Sequence, residues 1–287
     1  MPELPEVETV RRGLVAALEG RRIARVEVRR GDLRRPLPPG FAARLEGRTI
    51  TSIGRRAKYL LVSLDDGMVL IAHLGMSGRM VIERNGARTP PPATEVWRPA
   101  HLAHAHVAIE AEDGTIVRFS DPRRFGLMDL ALAGELATHP LLAALGPEPT
   151  GEDFDAALLQ SRLAGKHTPI KAALLDQRVV AGLGNIYVCE ALYRAGISPK
   201  RLALAVRGER AGRLARAIRD VLADAIAAGG SSLRDHVTPD GELGYFQHSF
   251  QVYGREGQPC PACTCREGVR RIVQSGRSTF YCAVRQR

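Results

Sequence analysis

The sequence predicts an α+β protein of two domains, with an N-terminal antiparallel β-sandwich and flanking helices, followed by a helical domain that ends in a β-hairpin. Three observations predict this class. The length of 287 residues suits two domains. Strand patterns broken by turn signals fill the chain before Gly134, whereas Ala- and Leu-rich helical patterns fill residues 153–228. Four of the five cysteines follow Gly254, which indicates a small separate element.

The N-terminal domain is predicted at residues 1–134. Its first helix has apolar residues three or four positions apart, at Leu4, Val7, Val10, Leu14 and Leu18, and Gly20 should end it. Strands are predicted at 22–29, 58–64, 68–73, 106–111, 115–119 and 125–132. Asp65-Asp66-Gly67 and Asp113-Gly114 are hairpin signals between neighbouring strands. Several antiparallel strands at such short spacing indicate a sandwich.

A linker is predicted at residues 135–150, which contain Gly146-Pro147-Glu148-Pro149. The helical domain is predicted at 151–253, with helices at 154–163, 170–175, 187–195 and 202–227. Residues 231–250 are polar and rich in turn residues, and loops of that length in compact domains are usually functional or disordered. Residues 254–287 form the predicted terminal hairpin.

The chain is strongly basic. Lys and Arg number 41 against 31 for Asp and Glu, which gives a net charge of +10. This charge favours a polyanionic partner, and nucleic acid is the first candidate. No stretch has the length of a membrane-spanning helix, and the acidic, proline-containing N-terminus is unlike a secretory signal. We therefore expect a cytoplasmic protein with reduced cysteines and no membrane partner.

The first residues contain a candidate nucleophile. Removal of Met1 would leave Pro2 with a free amine, and an α-amino pKa of about 8 keeps part of it unprotonated at neutral pH. Such an amine can attack an electrophilic carbon. Glu3 is adjacent and Glu6 follows three residues later, which on a helix places both carboxylates on one face. Taken alone, the same residues also fit a simple helix start.

Further candidates lie on predicted loops and turns. Gly182-Leu183-Gly184-Asn185 precedes a helix, where small residues let the backbone approach a phosphate. Asn185 could cap that helix or bind the phosphate, and Lys171 could add a charge; a plain turn is the alternative. Met76 follows a strand and Phe125 lies on a turn. Both suit insertion into a base stack, with core packing as the alternative.

The clustered cysteines indicate metal. Cys260 and Cys263 are spaced as one zinc knuckle. Cys282 stands where a second knuckle begins, but its expected partner is replaced by Arg285. Cys265 is the remaining candidate for a fourth ligand. The sequence predicts one structural Zn²⁺ site, and a metal-free hairpin is the alternative.

Eight motifs, taken in order, resemble those of the formamidopyrimidine-DNA glycosylases, bacterial enzymes that remove oxidised purines. They are Pro2–Thr9, Arg56–Leu60, His73–Met76, Asp121–Gly126, Leu174–Gln177, Gly182–Tyr187, Tyr253–Arg255 and Gly276–Thr279. Leu4 favours this purine-directed branch, because relatives resembling endonuclease VIII usually begin Pro-Glu-Gly-Pro. The resemblance implies a helix–two-turn–helix domain, a zinc-finger-like hairpin, and both DNA glycosylase and abasic-site lyase activity.

The resemblance also implies residue roles. Pro2 would form a Schiff base with the sugar of a flipped nucleoside, Glu3 would act as acid/base, and Glu6 would support the site. The implied phosphate contacts are Lys58, Lys171, Asn185 and Arg277. The implied residues at the gap are Met76, Arg123 and Phe125, with His73 and Arg124 in the same motifs. The implied lesion loop contains Leu233, Arg234, Asp235 and His236.

The implied partner is double-stranded DNA that contains 8-oxoguanine, formamidopyrimidines or abasic sites, bound by a monomer at the bacterial nucleoid. Three alternatives remain at this stage. The chain could be a non-catalytic binder of damaged or abasic DNA, a glycosylase for oxidised pyrimidines, or a tautomerase with an N-terminal proline. A tautomerase predicts neither the basic tail nor the cysteine cluster. Cys189 replaces an acid that is frequent in the family, and the sequence assigns it no role.

Overall fold

The structure, a computed structural model, describes residues 2–83, 104–231 and 244–287. The chain divides into two compact units. The first comprises Met1–Ala143 with Gly229–Tyr245, and the second comprises Ala144–Ala228 with Phe246–Arg287. Within the described ranges, no helix is long and apolar enough to cross a membrane.

In its described residues, the first unit contains two four-stranded antiparallel sheets and two α-helices. Its elements are α1 (Leu4–Leu18), β1 (Ile23–Val28), α2 (Phe41–Leu45), β2 (Ile50–Arg56), β3 (Tyr59–Leu64), β4 (Met68–His73), β5 (Arg79–Glu83), β6 (Ala105–Ala111), β7 (Ile116–Ser120) and β8 (Leu127–Leu132). One sheet has the order β1-β6-β7-β5 and the other β2-β3-β4-β8. Both sheets and α1 contribute to one apolar core, which confirms the predicted sandwich.

Three elements of this unit were not predicted from the sequence: α2, β2 and β5. In β2 only Ile50 and Ile53 are buried, so the strand lacks the alternation that identifies a strand. Its pairing with β3, in which Ile53 lies opposite Val62, holds it in the sheet. Tertiary pairing therefore decides the conformation of β2.

The second unit is helical and ends in a hairpin. Its elements are α3 (Ala156–Leu163), α4 (Ile170–Leu175), α5 (Asn185–Ala195), α6 (Glu209–Ala227), β9 (Arg270–Gln274) and β10 (Arg277–Tyr281). The predicted helix at 202–227 is too long, because Gly208 has φ 54° and ψ −126° and α6 begins only after it. Ser275 and Gly276, with φ of 50° and 70°, form the two-residue turn of the hairpin.

A buried acid on α5 anchors the segment that leads to the hairpin. Glu190 is fully buried and accepts the N–H groups of Gln251, Val252 and Tyr253 at 2.9, 3.0 and 2.8 Å. Burial raises the pKa of Glu190, and the three backbone donors partly oppose that shift. The hairpin is thus tied to the helical part of its own unit before its strands begin.

Candidate functional site

The N-terminal acids occupy the start of α1. Pro2 and Glu3 are buried, and Glu3 is the N-cap with φ −103° and ψ −171°. Because its backbone is extended, Glu3 does not share a helix face with Glu6, contrary to the geometry predicted above. Instead, Glu6 Oε2 turns back and accepts the N–H of Glu3 at 2.8 Å. The simple helix start is correct as local structure, and Pro5 lies in its first turn.

The second oxygen of Glu6 binds a distant segment. Oε1 accepts the backbone N–H of Ser231 at 2.8 Å and its Oγ–H at 3.1 Å. Gly230 precedes this contact with φ +82°, and a Cβ there would lie 3.0 Å from Glu6 Oε1. Glu6, itself 2% exposed, therefore joins the first turn of α1 to residues 229–231 and requires glycine at 230.

Lys58 lies on the turn between β2 and β3 and is only 7% exposed. The preceding Ala57 has φ 54°, a left-handed conformation that is strained for alanine. Arg55 holds this turn, since it donates to Ala57 O at 2.9 Å and to Glu8 at 3.1 Å. Glu8 also accepts two hydrogen bonds from Arg11, at 2.8 and 3.0 Å. An ionic network thus connects α1 to the turn that presents Lys58.

The Glu8 carboxyl is ionised over a wide pH range. Burial by itself would raise its pKa, but hydrogen bonds and charges from Arg11 and Arg55 outweigh burial and lower the pKa to about 2. The network therefore keeps its charges at any pH near neutrality.

His73 ends β4 in its neutral form. Burial, followed by the charges of Lys58 and Arg34, lowers its pKa to about 4. Its Nδ1 accepts the N–H of Gly75 at 2.9 Å, so the ring proton resides on Nε2. The ring also packs against Tyr59, with centroids 4.8 Å apart. His73 can therefore donate one hydrogen bond from Nε2.

The three residues assigned to the gap lie on two adjoining loops. The first loop joins β4 to β5 and carries Met76, and the second joins β7 to β8 and carries Arg123 and Phe125. Met76 and Phe125 are 38% and 42% exposed, so neither packs in the core. The Arg123 guanidinium lies 4.7 Å from the centre of the Phe125 ring. A Cβ at Gly75 would lie 2.3 Å from the carbonyl carbon of Phe125, so the two loops touch through their backbones. Arg124, with φ 56°, lies 3.5 Å from Asp32.

In the second unit, two of the predicted phosphate contacts bind the hairpin. Lys171 is fully buried and its Nζ donates to Ser278 O at 3.2 Å. Asn185 Nδ2 donates to the same carbonyl at 2.9 Å. Arg277, next to this carbonyl, is exposed. Asn185 does not cap α5, because it is the first helical residue and Gly184 is the N-cap.

The turn before α5 depends on a side chain that was assigned no role in the sequence. Gln177 Oε1 accepts the N–H of Gly182 at 2.9 Å, and its Nε2 donates to Leu183 O at 2.9 Å. The signal was its place in the Leu174–Gln177 motif. Leu233, Arg234, Asp235 and His236 lie outside the described residues.

The four terminal cysteines form one cluster. Their Sγ atoms all lie within 4.8 Å of one another, and Cys263 and Cys265 each lie 3.6 Å from Cys282. Tetrahedral Zn–S bonds of about 2.3 Å place neighbouring sulfurs about 3.8 Å apart, so this spacing suits a metal ion. Cys265 completes a group of four sulfurs, although Arg285 replaces the expected fourth cysteine. The Arg285 side chain turns away, onto the Tyr193 ring at 4.9 Å.

Two donors surround the cluster. The Tyr193 hydroxyl lies 3.3 Å from Cys260 Sγ, and the Arg285 N–H donates to Cys282 Sγ at 3.5 Å. Burial opposes ionisation of Cys260, but hydrogen bonds led by that of Tyr193 lower its pKa to about 7. The thiolate is the form that binds metal, so the cluster could hold an ion.

A model of the formamidopyrimidine-DNA glycosylase N-terminal domain matches residues 1–128, and a model of the formamidopyrimidine-DNA glycosylase H2TH domain matches residues 145–237. The chain belongs to the formamidopyrimidine-DNA glycosylase family. The resemblance stated from the sequence motifs is confirmed.

Individual relatives span the whole length. The formamidopyrimidine-DNA glycosylase of Rhodospirillum centenum is 59% identical over 301 residues, which cover 100% of both chains. The crystal structure of the MutM (Fpg) protein from Thermus thermophilus matches with a TM-score of 0.84 and 43% identity, covering 99% of this chain and 98% of that one. Lactococcus lactis Fpg in complex with abasic-site DNA matches with a TM-score of 0.85 and 35% identity over 100% of both chains. These formamidopyrimidine-DNA glycosylase structures confirm the predicted fold class.

Proposed function

We propose that this chain is a base-excision-repair enzyme that removes oxidised purines, 8-oxoguanine and formamidopyrimidines, from duplex DNA and cleaves the resulting abasic site. The buried group of Pro2, Glu3 and Glu6 at the start of α1 carries the proposal. The family supports it, since the Lactococcus lactis relative was solved with abasic-site DNA. We place this reaction on a monomer in the bacterial cytoplasm, at the nucleoid, with domains at 1–134, 151–253 and 254–287 and a linker at 135–150.

Pro2 is the proposed nucleophile once Met1 has been removed. Its nitrogen adds to C1′ of the flipped nucleoside, and the glycosidic C–N bond breaks as the base leaves with a proton. Glu3 is the acid/base at the sugar ring, and Glu6 fixes the Glu3 backbone through the hydrogen bond described above. The C1′–O4′ bond then breaks as O4′ takes a proton from Glu3, which opens the sugar ring and leaves an iminium at C1′. This iminium withdraws electrons, so loss of a C2′ proton expels the 3′-phosphate and a second elimination expels the 5′-phosphate.

Side chains of both units bind the DNA in this proposal. Phosphates are contacted by Lys58, Lys171, Asn185 and Arg277, with His73 as a hydrogen-bond donor. Met76, Arg123 and Phe125 fill the gap left by the flipped nucleotide, with Arg124 beside them, and their exposure suits that role. The loop of Leu233, Arg234, Asp235 and His236 closes on the lesion.

Borohydride reduction tests the proposed chemistry. Hydride reduces the iminium to a stable amine, so incubation with an 8-oxoguanine duplex should link the protein covalently to DNA. Pro2→Gly should trap less protein but still some, since glycine keeps a primary amine in place of the proline nitrogen. Glu3→Gln should bind the lesion without excising the base. Equal trapping by Pro2→Gly, or full excision by Glu3→Gln, would overturn these roles.

Assays of strand cleavage and base excision separate the alternatives. A non-catalytic binder would hold abasic duplex without cutting it, and excision rates on oxidised purines and pyrimidines would reveal a pyrimidine enzyme. The missing knuckle ligand had been the support for a non-catalytic binder. The position of Cys265 inside the sulfur cluster weakens that support, since four sulfurs are still available to a metal ion.

We also propose that the cluster binds one structural Zn²⁺ through Cys260, Cys263, Cys265 and Cys282. Elemental analysis should find one zinc per chain, and Co²⁺ substitution should give the absorption of a tetrahedral thiolate site. Cys265→Ala should lose or weaken metal binding. Cys189→Ala, at a buried cysteine outside the ligand set, is the matched control. Full metal content in Cys265→Ala would exclude Cys265 as a ligand.

A further inference from the structure

A fully buried carboxylate lies beneath the two loops that carry Met76, Arg123 and Phe125. Asp121 has an exposed fraction of 0%. Its Oδ1 accepts the hydroxyl of Ser77, from the first loop, at 2.5 Å. Its Oδ2 accepts the N–H of Gly126, from the second loop, at 2.7 Å. The Asp121 side chain therefore links the loop that carries Met76 to the loop that carries Arg123 and Phe125.

Ser77 extends this connection. Its Oγ accepts the backbone N–H of Arg123 at 3.2 Å. Since a hydroxyl has one proton, that proton is committed to Asp121 and the oxygen lone pairs remain for Arg123. Ser77, the residue after Met76, thus holds both the backbone of Arg123 and the carboxylate of Asp121.

Asp121 is itself fixed to the sandwich. Its N–H donates to His104 O at 3.0 Å, and its carbonyl accepts from the N–H of Arg124 at 3.1 Å. The same carbonyl lies 2.8 Å from His106 Nε2, which must be the donor because a carbonyl only accepts. His104 and His106, at the start of β6, therefore fix the backbone of Asp121 from outside the two loops, and Arg124 adds a contact from the second loop.

We propose that Asp121 and Ser77 are a positioning pair that holds Met76, Arg123 and Phe125 as one preorganised group for insertion into DNA. The inference rests on the proposed function. Neither residue is assigned a contact with DNA. Inserting a side chain must offset the loss of base stacking, and loops already held in place lose less conformational entropy on binding. The pair therefore matters for duplex substrates, in which the stack has to be opened.

The test compares duplex with single-stranded abasic DNA, using Ser77→Ala, Asp121→Asn and the double variant. Each single variant should lower kcat/KM for abasic duplex about tenfold, the loss expected for one hydrogen bond. Borohydride trapping on a single-stranded abasic oligonucleotide should be unchanged, because it has no stack to open. The double variant should lose less than the product of the single losses, since the two residues share one bond.

A matched control and an independent readout complete the design. Asp113 also accepts an N–H at 3.0 Å and a hydroxyl at 3.1 Å, both from Thr115, but in the turn between β6 and β7. Asp113→Asn should leave duplex activity unchanged. A 2-aminopurine placed opposite the abasic site should brighten on binding of the unmodified chain and brighten less with either variant of the pair.

Three results would overturn the positioning role. They are unchanged duplex activity in both variants, equal losses on duplex and single-stranded DNA, and unchanged 2-aminopurine brightening. Failure of the unmodified chain to form any trapped adduct would refute the proposed chemistry instead. The 2-aminopurine measurement would then still decide the role of the pair, because it reports insertion without reaction.

Discussion

Gly230 is the residue whose replacement should act most directly on the candidate nucleophile. Its φ of +82° disfavours any side chain, and a Cβ there would meet Glu6 Oε1 at 3.0 Å. Glu6 holds the backbone of Glu3, so a displaced Glu6 would move the residue next to Pro2. Glu6 could be identified from the sequence because it lies only four positions after Pro2. Gly230 could not, because 224 positions separate it from Glu6.

We predict that Gly230→Ala lowers the excision rate about tenfold or more, because misplacement of a reacting group by about 1 Å can be that costly. Single-turnover kinetics on an 8-oxoguanine duplex would measure it. Gly229→Ala is the control, since φ is also positive there (+74°) but the nearest atom to a Cβ is 3.8 Å away and belongs to Gly244. Equal losses in the two variants would argue for backbone strain alone.

Glu8 gives a prediction for pH. Its pKa is about 2 in the folded chain, below the ordinary value of 4.5. A depressed carboxyl pKa contributes stability that is complete above the unfolded pKa and is lost as pH falls toward the folded pKa. The stability difference between the unmodified chain and Glu8→Gln should therefore shrink on acidification from about pH 5 to pH 3. Urea unfolding at both pH values would measure it, and a constant difference would contradict the ionic network.

At the scale of elements, the hairpin of β9 and β10 is held by the helices of the second unit in a way that leaves the Arg277 side chain exposed. Lys171 and Asn185 both donate to the Ser278 carbonyl, and Thr279, which follows, is fully buried. Asn185 Oδ1 and Thr279 Oγ1 are buried without a hydrogen-bond partner in the described part of the chain. The hairpin is thus held from the helical side, while Arg277 at the start of β10 remains exposed.

Arg277→Ala should weaken DNA binding without altering the fold. Removing one phosphate contact should reduce the slope of log Kd against log salt concentration by about 1. Fluorescence anisotropy with abasic duplex at several salt concentrations would measure this slope. Arg219→Ala, at an exposed position of α6, removes the same charge elsewhere and should leave the slope nearer its original value. A slope unchanged by Arg277→Ala would exclude this phosphate contact.

The sequence predicts elements well where their pattern is local. The apolar spacing from Leu4 to Leu18 identified α1, and Asp65-Asp66-Gly67 identified the hairpin of β3 and β4. It failed for β2, which depends on pairing with β3, and for the start of α6, which depends on Gly208. Ala57 has a left-handed backbone that no local rule assigns to alanine.

For the whole molecule, the family followed from motifs spread along nearly the full chain, and family models covering residues 1–128 and 145–237 confirm it. The candidate site was harder to predict. Chemistry-bearing residue types such as Pro2 and Glu3 are visible in sequence because the proposed reaction calls for an amine and an acid. Asp121 and Gln177 act by accepting and donating hydrogen bonds within the fold, and nothing in their local pattern predicts those partners.

The cysteine cluster has a consequence for an enzyme that would work on oxidised DNA. Without metal, Cys282 Sγ has two competing sulfur neighbours at 3.6 Å, and only a small movement separates either pair from a disulfide bond of about 2.05 Å. Peroxide would take two electrons and two protons from such a pair and leave water. Bound zinc would therefore also act as a protecting group.

Chelator-treated protein should lose free thiols and DNA binding in dilute peroxide faster than untreated protein does. Thiol titration and anisotropy would follow both losses, and a reductant supplied with Zn²⁺ should reverse them. Equal rates with and without chelator would show that metal does not shield the sulfurs. If metal does shield them, the oxidative conditions that create the lesions would first inactivate the copies of the protein that have lost their metal.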